Sequence, residues 1–86
     1  IVDNTWSAGV HFKPIAAGAH VSVEAGTKYF SGHSDCLIGS ITSADEETAK
    51  LIFQALLQLG SNVSADDAYL TLRGLRTLAA RMPVHE

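Results

Sequence analysis

Apolar and polar positions along the chain follow two periods. Ile1-Val2 is a short apolar run stopped by Asp3, which reads as the carboxyl end of a strand buried on both faces, as in a parallel sheet. His20-Val21-Ser22-Val23-Glu24 alternates in the manner of a half-buried strand, and Leu37-Ile38-Gly39-Ser40-Ile41, after a turn at Gly32, predicts another short strand. The period then changes. Leu51, Ile52, Ala55, Leu56 and Leu59 recur at helical spacing, predicting an amphipathic helix over 48–59. Asp45, Glu46 and Glu47 suit its positive end, and Gly60 stops it.

A second helical stripe runs through Ala68, Leu72, Leu75, Ala79 and Met82, behind a Ser64/Asp67 pair that resembles a capping box with Asp in place of Glu. The spacing predicts one continuous helix to Met82. Gly74 inside it costs about 1 kcal/mol against Ala, which close approach by another helix or strand would explain. Pro14 opens a short helical turn through Ile15-Ala16-Ala17 that Gly18 ends.

Strand ends matter because open α/β sheets bind ligands beyond the carboxyl ends of their strands. Asp3, Asn4 and Thr5 reach that edge, and the second strand delivers Ala25 to Lys28 to the same place. No internal repeat or linker divides the 86 residues, which read as one unit, 47% hydrophobic. The chain starts inside a strand-like run and ends in Pro83-Val84-His85-Glu86, with nothing to cover the preceding helix. A domain of this size buries only about 60% of its unfolded surface. We therefore expect residues 1–86 to be part of a single larger domain, truncated at both ends.

Charge excludes little beyond the obvious. Six basic against nine acidic residues give a net charge of −3 without runs, so no basic patch suggests nucleic acid. No signal peptide or bilayer-length apolar run suggests a membrane. The lone Cys36 forms no internal disulfide, fits a reducing cytoplasm, and reads as a buried small apolar residue.

Lys28, in Ala25-Gly26-Thr27-Lys28-Tyr29-Phe30-Ser31-Gly32-His33-Ser34-Asp35, is the main candidate for chemistry. A lysine attacks carbonyls once partial burial or a nearby cation eases deprotonation; taken alone, this one reads as a solvated turn residue, and only its company points to chemistry. Asp3 alone is a strand-end acid capping a turn. His33, Ser34 and Asp35 have the residue types of a triad but are adjacent in sequence, so a turn held by side-chain hydrogen bonds is expected instead. His11, His20 and His33 match no metal-ligand spacing. Arg73 and Arg76 read as helix-surface partners of acids.

Val2-Asp3-Asn4-Thr5-Trp6 followed by Gly26-Thr27-Lys28-Tyr29-Phe30-Ser31-Gly32-His33-Ser34-Asp35 resembles the transsulfuration family of pyridoxal-phosphate enzymes. Ala68-Tyr69-Leu70 and Leu72-Arg73-Gly74-Leu75-Arg76-Thr77-Leu78 extend the resemblance over essentially the whole chain. It implies an α/β fragment of the large cofactor-binding domain of a fold-type I enzyme. It also implies roles: Lys28 as Schiff-base lysine and later the base at the substrate's Cα, Asp3 facing the pyridine nitrogen, Thr27 donating to the phosphate. Ala25 stands where many members carry a second phosphate-binding serine, so it is not assigned; the family's carboxylate-binding arginine lies beyond Glu86.

Trp6 and Ser7-Ala8-Gly9 look more like the β-lyase branch of that family. The implied reaction is α,β-elimination of cystathionine to homocysteine, pyruvate and ammonia. The implied partners are an amino-acid thioether substrate and further copies of the parent chain, as a homotetramer sharing sites between subunits. Another transsulfuration activity, or a non-catalytic truncated fragment, stays open.

Overall fold

The computed structural model of the chain describes residues 1–85, so Glu86 of the expected uncovered tail lies outside the described residues. Its strands form one mixed sheet in the order β1 (Val2–Asp3), β2 (Val21–Ala25), β3 (Gly39–Ser43). β1 lies parallel to β2, pairing Val2 with Ser22 and Asp3 with Val23, while β3 lies antiparallel, pairing Val21 with Ser43 and Ala25 with Gly39. The parallel pair therefore ends at one edge, with Asp3 and Ala25 both delivered there.

At that edge the chain leaves the sheet in a controlled way. Asn4 N–H still donates to Val23 O at 2.8 Å; the next ladder position is filled by a side chain, Thr5 Oγ1, which accepts from Ala25 N at 2.8 Å. Asn4 is fully buried and organises the following loop, donating from Nδ2 to Phe12 O at 3.0 Å and accepting from Ser7 Oγ at 2.7 Å. A buried amide needs such partners, because leaving it unsatisfied costs more than any one bond returns. The Pro14 turn closes as expected, with Ala17 N and Ala19 N both donating to Pro14 O.

Three strand expectations shift. β3 starts at Gly39 rather than Leu37, because Thr27 has captured Ile38: Thr27 N donates to Ile38 O at 3.1 Å and Thr27 Oγ1 accepts from Ile38 N at 2.9 Å. That leaves Leu37 exposed. β2 begins one residue later than its alternation suggested, at Val21. β1 is not buried on both faces; β2 is its sole neighbour among the described residues, and Ile1 is exposed.

Helix α1 (Glu46–Leu59) starts two residues before the expected Thr48, because Asp45 caps it, and stops at Gly60 as expected. Asp45 Oδ1 accepts from Thr48 N at 2.7 Å, and Gly60, at φ 73°, returns its N–H to Leu56 O and Leu57 O. That amide bond holds the Asp45 carboxyl below its usual value. Helix α2 (Ala65–Leu75) starts at Ser64, whose Oγ accepts from Asp67 N at 3.1 Å.

The single helix expected to reach Met82 is instead broken. α2 stops at Leu75, Thr77 adopts φ −111° and ψ 6°, and the chain resumes as α3 (Leu78–Arg81) and a 3-10 helix over Met82–His85. The physical cause is competition for one carbonyl. Gly74 O accepts from Thr77 N at 3.1 Å, from Thr77 Oγ1 at 3.2 Å and from Arg81 Nη2 at 2.6 Å. The expected stripe also fails to be what α2 buries. Leu72 and Leu75 stay exposed while Thr71 and Gly74 are buried, because what packs there is the backbone of Phe30 and Ser31, which only a small face admits.

Little apolar surface is buried overall. Among the described residues the buried apolar side chains are Ala8, Val21 and Met82, and α1 buries none; Phe53 and Leu57 stay 62% and 65% exposed. Between α1 and the sheet lies an apolar groove of about 850 Å³, lined by Val23, Ile41, Ile52, Phe53, Leu56 and Val63. The Cα envelope measures 36 × 32 × 15 Å, a slab too thin for a central core. No described helix is long and apolar enough to cross a membrane.

Candidate active site

Beyond the carboxyl ends of β1 and β2 lies an open cleft of about 880 Å³, whose lining includes Asp3, Thr5, Thr27, Lys28, Arg81 and His85. All three residues singled out from the sequence, Asp3, Thr27 and Lys28, meet in it.

The Lys28 turn is built from its own backbone. Lys28 N donates to Ala25 O at 3.1 Å, Ser31 N to Gly26 O at 2.9 Å, and Gly32 N to Lys28 O at 2.8 Å. Fully buried Ser31 ties the turn again by donating from Oγ to Thr27 O at 2.9 Å. Gly26 allows the close approach, since a Cβ there would lie 2.8 Å from Ile38 Cγ2 and push that side chain aside. The Lys28 side chain is exposed and shares the cleft with Arg81 and His85.

Asp3 is held as a carboxylate. Its Oδ1 accepts from Thr5 Oγ1 at 2.7 Å and from Thr5 N at 3.0 Å, and these bonds, the hydroxyl first, hold its pKa below the ordinary value. The acid therefore caps a turn and also faces the cleft. The sequence places Thr5 at this edge but assigns it no role: its hydroxyl donates to Asp3 while accepting from Ala25 N, joining the acid to the strand that leads to Lys28. The Asp-x-Thr spacing, a side-chain-capped turn signal, was the available clue. On the neighbouring strand, burial raises the Glu24 carboxyl; donation from Asn4 opposes this and the Asp3 charge adds to it.

Thr27 Oγ1 is not idle. It accepts from Ile38 N at 2.9 Å and donates to Ile38 O at 3.3 Å. Turning that proton toward an anion in the cleft leaves Ile38 O still paired with Thr27 N, so the hydroxyl is available as a donor without orphaning a carbonyl.

Of the remaining candidates, Ser34 also lines the cleft, while its neighbours are engaged elsewhere. His33 Nδ1 donates to Ser31 O at 2.6 Å, and Asp35 pairs with Arg73 Nη2, so these residues hold a turn and dock α2 onto it. Cys36 is half-buried rather than buried, with Sγ 3.8 Å from Thr71 Oγ1.

The family model for Cys/Met metabolism PLP-dependent enzymes matches residues 1–86. The chain belongs to that family. This chain resembles cystathionine beta-lyase of Bordetella avium, 51% identical over 83 residues, 96% of this chain and 21% of the relative. It also resembles L-alanine/L-glutamate racemase of Wolbachia pipientis, 41% identical over 86 residues, all of this chain and 21% of the relative. Among solved structures, cystathionine gamma synthase from Xanthomonas oryzae pv. oryzae in complex with cystathionine superposes with TM-score 0.90 at 42% identity, covering 93% of this chain and 21% of that one. The chain thus spans about a fifth of the length of these relatives, and its fold is an α/β segment of the fold-type I pyridoxal-phosphate architecture.

The residues fit that cofactor. An ionised acid, an amine and a hydroxyl with a proton to redirect share one cleft, the donor set that a protonated ring nitrogen, an aldehyde and a phosphate need.

Proposed function

We propose that these residues serve a pyridoxal-phosphate-dependent carbon–sulfur lyase of the cystathionine β-lyase kind, splitting cystathionine into homocysteine, pyruvate and ammonia. The observation that carries the reading is the convergence of Asp3, Thr27 and Lys28 in one cleft at the carboxyl edge of the parallel strands. Bound there, pyridoxal phosphate supplies an electron sink for charge developing at the substrate's Cα.

The chain's own residues do the rest. Lys28 would hold the cofactor through its amine and, once the substrate's amine had taken its place there, would accept the proton from the substrate's Cα. Asp3, kept ionised by Thr5, keeps the pyridine nitrogen protonated. Thr27 turns its hydroxyl proton toward the phosphate while still accepting from Ile38 N.

Residues 1–86 in this reading are part of one cofactor-binding domain. The unburied apolar residues of α1 and the open groove beside it are then covered by the remainder of that domain. Assembly as a homotetramer, sites completed by a neighbouring subunit, and a cytoplasmic setting belong to the same proposal; by itself the 86-residue chain is inactive.

A second reading, another transsulfuration activity, is favoured by the close superposition on a γ-synthase. Incubating the full-length enzyme with cystathionine separates the two. Pyruvate with homocysteine supports β-elimination, whereas 2-oxobutyrate with cysteine, or no cleavage, overturns it.

A further inference from the structure

The corner between α2 and α3 grips the Lys28 turn at two points, and one of them is an arginine with no assigned role. Gly74 is the first, its Cα face pressed on the carbonyls of Phe30 and Ser31. Arg81 is the second. Its guanidinium is held as a fork, Nε donating to Thr77 Oγ1 at 3.0 Å and Nη2 to Gly74 O at 2.6 Å. The same plane lies against Gly32, where a Cβ would come 2.5 Å from Arg81 Cζ and 2.9 Å from Nη2. Gly32, at φ 74°, in turn donates its N–H to Lys28 O at 2.8 Å. A continuous path thus runs from the helix corner through a planar cation to the backbone of the lysine.

We propose that Arg81 is a positioning residue for Lys28. The inference rests on reading Lys28 as the group that bonds the cofactor. In that step the unprotonated amine adds to the aldehyde carbon of pyridoxal phosphate, a C=N bond replaces C=O, and the oxygen leaves as water. Such additions depend steeply on alignment, with a misplacement of about 1 Å able to cost roughly a hundredfold. Hydrogen bonds among residues 25–32 fix the turn's shape, Thr27 ties it to Ile38, and Gly74, the Arg73–Asp35 pair and the Tyr29–His85 ring contact help seat it; the Arg81 contact differs in bearing on Gly32, one hydrogen bond from the Lys28 carbonyl. A guanidinium fork reaches two acceptors on one rigid plane and still presents a flat face to Gly32; an ammonium does neither.

The test uses the full-length enzyme stripped of cofactor. Pyridoxal phosphate is added to wild type, Arg81→Lys and Arg81→Met, and formation of the covalent bond is timed by its absorbance change. Non-covalent pyridoxal phosphate affinity is measured separately for each Arg81 variant in a Lys28→Ala background. We expect bond formation to slow by about 10- to 100-fold in both variants, with non-covalent affinity within a factor of about three. Arg81→Lys keeps charge and length, so it carries the test if Arg81→Met folds poorly. Bond formation at the wild-type rate, or a slowing matched by an equal loss of non-covalent affinity, overturns the proposal. Failure of the underlying reading is visible separately, as a borohydride-fixed label on another lysine in the wild type.

Discussion

Gly74→Ala sets two effects of opposite sign against each other. In an exposed helix Ala stabilises by about 1 kcal/mol relative to Gly. Here the new methyl would stand 2.5 Å from the Ser31 carbonyl carbon and closer still to the carbonyl oxygens of Phe30 and Ser31. Those are backbone atoms and cannot rotate aside. Reaching ordinary contact at 3.4 Å from the nearer carbonyl oxygens requires the helix or the turn to retreat by more than about 1 Å. Overpacking of this kind costs about 1–3 kcal/mol, and two carbonyls are struck, so the upper part of the range applies and a net loss of about 1–2 kcal/mol remains. The effect on catalysis is larger, since the displaced turn carries Lys28 and a shift near 1 Å costs roughly a hundredfold in rate. In the full-length enzyme we expect a modestly lowered melting temperature with turnover reduced about a hundredfold. A variant that melts at or above the wild-type temperature and turns over normally would show that the turn does not rest on this helix.

Three further outcomes follow from the geometry. Thr5→Val removes the hydroxyl bond that lowers the Asp3 pKa, so that pKa rises toward its ordinary value; because a depressed acid contributes only above its folded pKa, the acid limb of activity should move to higher pH, and an unmoved limb contradicts the role given to Thr5. Asp3→Asn preserves size but not charge, and turnover should fall at least about a hundredfold; near wild-type activity means Asp3 is not the pyridine partner. The isolated 86-residue chain, with α1 unburied and an open apolar groove, should aggregate or stay loosely packed and bind pyridoxal phosphate no better than free lysine does. A monomer with a cooperative melt and stoichiometric cofactor would count against that.

Features set by neighbours in sequence were legible in advance. Gly60 and Ser64 cap their helices as expected, because a cap needs only the adjacent turn, whereas the sequence marks Asp45 only as an acid suited to the helix dipole. Asp3 and Lys28 were placed at one sheet edge because strand ends and chain direction suffice to argue it. What the sequence hid was set by contacts between distant segments. The break at Thr77 depends on Arg81 and Thr77 reaching the Gly74 carbonyl, and the helical periodicity runs straight through it. The late start of β3 depends on Thr27 capturing Ile38, eleven residues away. Gly74 was flagged as needing a close neighbour, yet that neighbour is a turn rather than a helix or strand.

The account stands on Lys28 forming the bond to the cofactor. Treating the full-length enzyme, loaded with pyridoxal phosphate, with borohydride and then mapping its peptides tests this directly. We predict loss of the near-visible absorbance band and a single cofactor-derived mass increment on the peptide containing Lys28. An increment on any other lysine, with Lys28 recovered unmodified, would contradict it.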